Sequence, residues 1–434
     1  MTSDGRCGGR VGWLGSLNPR RTGQRILPGS ERPGPGVLAG LREISAIGRD
    51  PSTGGYRRYA WSAADLALRE WFGGAATQRG IAWHADGIGN LWAWWGDELG
   101  PGAVVTGSHL DSVPDGGAFD GPLGVVSAFC AVDELRARGV TPARPLGVVA
   151  FVEEEGARFG VACVGSRLLT GSLDPDRALG LTDADGVSLA EAMRSAGADP
   201  AEVRPDPALL ARIATYVELH IEQGRGLVEH GAPVGLGTGI WPHGRWRYRF
   251  TGEANHAGTT RLGDRCDPML TYAHTVLSAR KRARLAGGVA TFGRVLVRPN
   301  GSNAIASAID GWLDARAPDQ PSLGHLVAEI ERAAFERGRR DRVEVGISVE
   351  SQTPAVEFDA GLRQRLGSVL GGVPALPTGA GHDAGVLAGH VPTAMLFVRN
   401  PTGISHSPAE HAEDADCVAG VLALVDVLAD LLAR

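Results

Sequence analysis

The chain has 434 residues, 43% of them apolar and 21% charged, a globular balance rather than the charge-rich signature of disorder. That length exceeds one ordinary core and predicts two or three structural units. A net charge of -6, from 43 basic and 49 acidic side chains, leaves no basic footprint for nucleic acid or anionic lipid, so small molecules are the expected partners.

Met1 to about Pro35 is rich in Gly, Arg and Pro and lacks the apolar core of a signal peptide, so residues 1–35 are read as a disordered extension. Ala64–Trp71 then predicts a helix, Ala103–Thr106 a strand, Val125–Arg138 a helix and Pro145–Val152 another strand. Apolar strands alternating with helices predict an α/β unit with a mostly parallel sheet, whose sites lie at strand carboxyl ends. From about Gly239 the texture changes, and Arg245–Phe250 alternates arginine with aromatic residues. With strands at Ala290–Val297, Ile309–Ala315 and Arg342–Val349 and helices near Pro268–Leu285 and Leu323–Arg337, the order is β-α-β-β-α-β, a ferredoxin-like insert. The predicted division is therefore 36–238 with 353–434 as a discontinuous catalytic domain, and 239–352 as an α+β lid. No apolar run is long enough for a membrane span, the C-terminal run from Val418 being broken by Asp426 and Asp430. The five cysteines are odd in number and not closely paired, which argues against a disulfide framework or CxxC metal site and fits a reducing cytoplasm.

The segment Gly107–Gly124 carries the first chemistry. His109 and Asp111 stand two apart after an apolar strand, where a carboxylate on the same side can orient the imidazole, and Asp120 sits in a glycine-flanked turn. Taken alone, such a pattern also fits an ordinary surface turn. Next, the strand Val148–Val152 runs straight into Glu153, Glu154 and Glu155. Acids crowded at a sheet's carboxyl edge repel one another unless cations or protons compensate. His220 and His406, in Glu218–Gly224 and Gly403–Glu410, complete the set of polar segments.

With Gly252–Thr260 and Gly379–Ala384, these segments occur in the order in which they resemble the hydantoinase/carbamoylase group of amidohydrolases. That group includes allantoate amidohydrolase, N-carbamoyl-L-amino-acid hydrolase and β-ureidopropionase, and is related to dinuclear metallo-exopeptidases. The resemblance covers nearly everything after about Val37. It implies two divalent ions per subunit, manganese or zinc with cobalt or nickel as alternatives, held by His109, Asp120, Glu155, His220 and His406. Asp120 would bridge, one ion taking His109 and His220 and the other Glu155 and His406. Imidazole and carboxylate suit these metals, and the lack of thiolate argues against a structural zinc.

The resemblance also makes Glu154 the general base and His256 the oxyanion donor. Asn303 and Arg316 would bind the substrate carboxylate, with Gln223, Gly381 and His382 near the substrate and Asp111 supporting the ligands. It further implies a cis Asp120–Gly121 peptide and a homodimer through the lid, with His256, and Asn303 beside it, completing the neighbouring subunit's site. Asn303-Ala-Ile-Ala lacks the proline usual at its fourth position, and Glu-Glu-Gly-Ala replaces the commoner Glu-Glu-Gly-Ser. Allantoate is the first expected substrate, because the run Glu153–Gly171 resembles allantoate amidohydrolases, and the N-carbamoyl-L-amino-acid hydrolase or β-ureidopropionase reaction is the alternative. An inactive binding protein on a peptidase-like fold is the alternative of a different class, opposed by the presence of every expected ligand and of the base.

Overall fold

The computed structural model describes residues 36–98 and 100–433; the expectation for residues 1–35 lies outside them. In chain order the described strands begin with β1 (Ala82–Ala85), β2 (Leu91–Trp95), β3 (Ala103–His109), β4 (Leu146–Phe151), β5 (Ile213–Ile221) and β6 (Val234–Ile240). They continue with β7 (His243–Thr251), β8 (Asn255–His256), β9 (Val289–Arg298), β10 (Ala304–Ile305), β11 (Ala308–Arg316) and β12 (Glu344–Thr353). The last are β13 (Val356–Glu357), β14 (Ala375–Thr378) and β15 (Thr393–Val398).

The large sheet runs β1-β2-β4-β3-β5-β15-β6-β13, with β14 beside β6. Its centre is parallel: β4 pairs with β3, β3 with β5, and β5 with β15 in one direction. Strands β3 and β4 are buried along their whole length, as a parallel sheet covered on both faces requires. On one face, helices Ala63–Gln78, Pro122–Ala137 and Asp414–Leu432 pack Phe72, Phe129 and Leu428 against Val104, Val148 and Leu219. The opposite face is covered by shorter helices, including Val164–Leu169 and Leu189–Ser195, around Val105, Val149 and Tyr216. The result is three layers. Strand β5 sorts its residues by parity: Val217, Leu219 and Ile221 enter the first cluster, which sends Glu218 and His220 to the other face.

Four consecutive parallel strands therefore end side by side. At or beyond these ends lie His109 on β3 and the loop to Asp120, the acids Glu153–Glu155 after β4, His220 on β5, and the loop from β15 to His406.

The residues from His243 to Thr353 form a second sheet of order β12-β7-β11-β9, antiparallel throughout. Helices Pro268–Leu285 and Gln320–Asp341 complete the β-α-β-β-α-β sequence expected from the pattern. The alternation along β7 divides its two faces. Trp246, Tyr248 and Phe250 are buried with Ile309, Leu313 and Ile330, while Arg247 and Arg249 meet the buried Asp310 at 2.9 and 3.1 Å on the other face. The strands start at His243 and end at Thr353, so β6 and Ile240 belong to the large sheet rather than to this one. No helix among the described residues is long and apolar enough to cross a membrane.

The helix Pro122–Ala137 can approach the sheet because of one glycine. A Cβ on Gly124 would stand 2.3 Å from the Leu219 carbonyl oxygen and 2.7 Å from the Ser108 Cβ. Gly124→Val is expected to cost about 1 to 3 kcal/mol by overpacking, read as a thermal midpoint several degrees lower; an unchanged midpoint would contradict this packing.

Candidate metal centre

Three groups converge on the carboxylate of Asp120, itself 6% exposed. His220 Nε2 lies 3.1 Å and His109 Nε2 3.5 Å from Oδ1, while His406 Nε2 lies 3.6 Å from Oδ2 and 3.6 Å from Glu155 Oε2. The ring protons of the two buried histidines are fixed by their other contacts. His109 Nδ1 faces the Asp111 carbonyl at 3.1 Å and His220 Nδ1 the Ile221 carbonyl at 2.8 Å. A carbonyl only accepts, so both Nδ1 atoms are donors, and in the neutral rings both Nε2 lone pairs point at an anion. Neither Nε2 has a hydrogen-bond partner. Lone pairs facing a carboxylate repel unless a cation stands there.

The donor set fits a metal on this ground. His109, Asp120 and His220 offer ligand atoms at mutual distances that one ion could span, and Asp120, Glu155 and His406 offer a second set. A third overlapping set, Glu218, His220 and His382, was not anticipated from the motifs. Burial alone would lower the His109 pKa, but Glu154, Asp111 and Asp120 drive it well above the ordinary value. Burial likewise opposes ionisation of Asp120, yet His220 and His109 hold its carboxyl well below the usual range. Glu155 is pushed up to about 8 by burial and by Asp120.

The three consecutive acids have three different surroundings. Strand β4 ends at Phe151 and Glu153 turns the chain at φ +52°, so a bend, rather than the strand alternation expected from sequence, separates them. Glu153 Oε1 accepts from the Arg158 and Phe159 amides at 3.0 and 2.8 Å and is structural. Glu154 is buried, 3.8 Å from His109 Nε2, and accepts from the Cys163 thiol at 3.3 Å; burial raises its pKa well above the carboxylate range. Glu155 reaches His406.

Asp111 departs from the role expected of it. Its backbone carbonyl, rather than its carboxylate, takes the closer contact with His109 Nδ1, the carboxylate standing off at 3.5 Å. The carboxylate instead accepts from the Glu154 and Glu155 amides at 3.2 and 3.0 Å, tying two strand ends together.

The Asp120 turn is held from 290 residues away: Glu410 Oε1 accepts from the Phe119 and Asp120 amides at 2.9 and 3.0 Å. Burial and Asp120 push Glu410 up to about 7. Its motif was legible in sequence, but not this use of it. The Asp120–Gly121 peptide is trans, contrary to expectation; among the described residues the one cis bond is Arg298–Pro299. Gly121 makes the turn at φ +82°, with no room for a side chain, since a Cβ would lie 2.4 Å from the His109 ring.

Two cavities of about 420 and 480 Å³ share Gln223, Arg316, Ala380 and His406 in their walls, and the larger also reaches Asp120, Glu154 and Glu155. Gln223 Nε2 donates to Asp120 Oδ2 at 2.8 Å, so this amide holds the central carboxylate as well as lining the cavity. The Arg316 fork is gripped by Asp314 at 2.9 and 3.2 Å and by the Gly379 carbonyl, which leaves one N–H on each terminal nitrogen. Gly381 and His382 line the larger cavity. His382 packs edge-on against His220 at 4.6 Å, and burial holds it neutral, its pKa well below the ordinary value.

His256 and Asn303 are exposed and line neither cavity among the described residues. His256 lies on β8 of the small ribbon, and the carbonyl of Asn303, one residue before β10, accepts from the Ala257 amide at 3.0 Å. His256 Nδ1 accepts from the Gly258 and Thr259 amides at 3.0 and 3.2 Å, so the neutral ring carries its proton on Nε2 as a free donor.

Residues 105–430 match peptidase family M20/M25/M40. This chain belongs to that family. It is 38% identical to the N-carbamoyl-L-amino acid amidohydrolase of Geobacillus stearothermophilus, over 88% of this chain and 94% of that one. It is 33% identical to the allantoate amidohydrolase of Escherichia coli strain K12, over 89% and 95%. A hydantoinase/carbamoylase family amidase from Burkholderia ambifaria superposes with a TM-score of 0.78 at 31% identity, covering 92% of this chain and 97% of that one. Within the family the chain is thus of the hydantoinase/carbamoylase group, a hydrolase of carbon-nitrogen bonds other than peptide bonds, and the reading as an inactive binding protein is set aside.

Asp111→Ala frees the Glu154 and Glu155 amides, and support groups of this kind are typically worth about 10- to 100-fold in metal affinity. A metal-competition titration checks this; affinity within twofold of the parent chain would show that the acids hold their places without Asp111.

Proposed function

We propose that this chain removes the terminal carbamoyl group of N-carbamoyl-L-amino acids, releasing the amino acid, ammonia and carbon dioxide, with two divalent ions held about Asp120. The observation that carries the reading is the pair of buried Nε2 atoms, His109 and His220, aimed at one carboxylate beside a second acid and histidine. His109 and His220 would hold one ion, Glu155 and His406 the other, and Asp120 both. Manganese or zinc suits this set, with cobalt and nickel as alternatives. When bound, the ions supply an activated water and polarise the carbonyl of the scissile bond.

Glu154 then works as a proton carrier. It takes the proton of the attacking water and delivers it to the leaving nitrogen, and its burial, which favours the protonated form, suits the second half of that cycle. The two unused N–H groups of Arg316 fit the substrate carboxylate. Asn303 is the further carboxylate binder, and Gln223, Gly381 and His382 wall the reacting group. Allantoate, first on sequence alone, becomes the second reading, because the carbamoyl-amino-acid relative is the more similar of the two, 38% against 33%.

Loaded with manganese or zinc, the chain is expected to release ammonia and free amino acid from N-carbamoyl-L-amino acids faster than from allantoate, N-carbamoyl-β-alanine or dipeptides. Faster release from allantoate would reverse the two readings, and cleavage of dipeptides alone would refute both. In the same assay Glu154→Gln should keep its metal and lose about 10²- to 10⁴-fold in turnover, whereas Glu155→Gln should lose metal at one site. Equal metal loss in both, by elemental analysis, would abolish the distinction of base from ligand.

The sheet of β7, β9, β11 and β12 is proposed as a lid that pairs with that of a second subunit, placing His256 in the partner's site. Pairing two such sheets would also cover their exposed edges. The Nε2–H of His256 is free to stabilise an oxyanion, and it lies outside the cavities of its own chain. His256→Ala should cost about 10²- to 10³-fold in turnover without loss of metal. Mixing it with Glu154→Gln under subunit exchange should restore activity, since one site in each mixed dimer regains both groups; no recovery despite exchange would place His256 in its own site or outside catalysis. Four described cysteines, three of them buried, are free thiols, which supports a cytoplasmic location.

A further inference from the structure

The larger cavity holds more positive charge than recognition of one carboxylate requires. Besides Arg316 it is lined by Arg245, Arg167 and Arg177. Arg316 and Arg245 share Asp314, at 2.9 and 3.6 Å. Arg167 and Arg177 make no ion pair and no side-chain hydrogen bond among the described residues. The cavity's remaining carboxylate outside the metal centre, Glu350, accepts from Trp312 Nε1 at 2.7 Å and lies beyond ion-pair distance of both.

From these unpaired guanidiniums we infer a second anion subsite, formed by Arg167 and Arg177, which makes the preferred substrate a carbamoyl acid with two carboxylates. The inference rests on the carbamoyl-hydrolase reading above and narrows its substrate class. Arg167 is half-buried, and a partly desolvated cation without a counter-ion is costly, as is a second like charge in the same cavity. A substrate carboxylate relieves both. The guanidinium fork matches a carboxylate in two parallel hydrogen bonds, a specificity a lysine at either position would not supply.

The subsite is also tied to the reacting centre. The helix Val164–Leu169, which bears Arg167, starts on the acid segment: the Cys163 amide donates to the Glu154 carbonyl at 2.7 Å and the Val164 amide to the Glu153 carbonyl at 3.0 Å. Arg177 follows on the short helix Pro175–Leu179, whose start is capped by Asp174. Arg316 stands on β11 of the other sheet, so the two carboxylates of one substrate would engage different walls of the cavity. A substrate with a neutral side chain engages only Arg316.

The test uses the metal-loaded Glu154→Gln chain, in which turnover is suppressed, and equilibrium binding by calorimetry at low salt. N-carbamoyl-L-aspartate is compared with N-carbamoyl-L-asparagine, and the glutamate derivative with the glutamine one, each pair differing by one charge at nearly constant shape. At one or both lengths the dianion is expected to bind about tenfold more tightly or better. With Arg167→Gln and Arg177→Gln added, that preference should fall below about threefold. Arg177→Gln alone, at an exposed position, should lower it in part and covers the case in which the double variant does not fold. Equal binding of acid and amide at both lengths, or a preference that survives the arginine changes, overturns the subsite. Ammonia release by the parent chain is scored separately: a dianion preference without release from any carbamoyl acid keeps the subsite and removes the proposed reaction, and release without the preference does the reverse.

Discussion

One buried carboxylate sets the terms for the rest of this molecule. Asp120 faces His109 and His220 through nitrogens whose partners on the far side of each ring leave them without a proton when neutral. Gln223 and Ser405 donate to this carboxylate at Oδ2, whereas Oδ1 faces the two imidazole nitrogens. A cation shared between anion and lone pairs would remove the repulsion, and the raised pKa of His109 beside Glu154, Asp111 and Asp120 and the lowered pKa of Asp120 beside the two histidines have the sign of the same demand for positive charge. Around this point Glu154, Glu155, Glu218 and Asp383 add further buried acid, so the centre becomes electrostatically tolerable through positive charge.

The scaffold brings these groups together by strand order. Sequence distance from His109 to His406 is large, but β4, β3, β5 and β15 are neighbours and point the same way, so their carboxyl ends open on one edge. Hydrogen bonds across those ends then fix the loops. Asp111 holds the amides of Glu154 and Glu155, Glu410 those of Phe119 and Asp120, and Glu218 accepts from Ser108 at 2.7 Å and from the Ala384 amide at 2.9 Å. Each such carboxylate joins two strand ends, which is why so many acids are buried in a region that is not itself apolar.

Positive charge is distributed differently. On the antiparallel sheet, Arg247, Arg249 and Arg298 surround Asp310, and Arg316 and Arg245 lean on Asp314, so each of these arginines has a carboxylate neighbour that it shares. Arg167 and Arg177, on the two helices that follow β4 directly, make no ion pair among the described residues. The cavity thus joins a wall whose arginines share one carboxylate to a wall whose arginines have none among the described residues, and it is uncompensated charge that can tell charged from neutral substrates.

The sequence by itself determined the chemistry and the two sheet types. Apolar strands ending in acids, and the arginine-aromatic alternation of Arg245–Phe250, are local patterns, and local patterns fix which face or end of an element a residue occupies. The candidate metal-centre residues were named by the resemblance of their ordered motifs, local pattern by itself marking His109 with Asp111 and the acids that follow β4. Tertiary structure decided what those residues touch. That the Asp111 carboxylate takes the Glu154 and Glu155 amides at a closer distance than the His109 ring, that Glu154 faces His109 while Glu155 faces His406, and that Glu410 steadies the Asp120 turn all depend on contacts between segments far apart in the chain. The trans Asp120–Gly121 bond and the unpaired arginines belong here too. Their surroundings are assembled from several elements, and no period or spacing within one element encodes a distance to another.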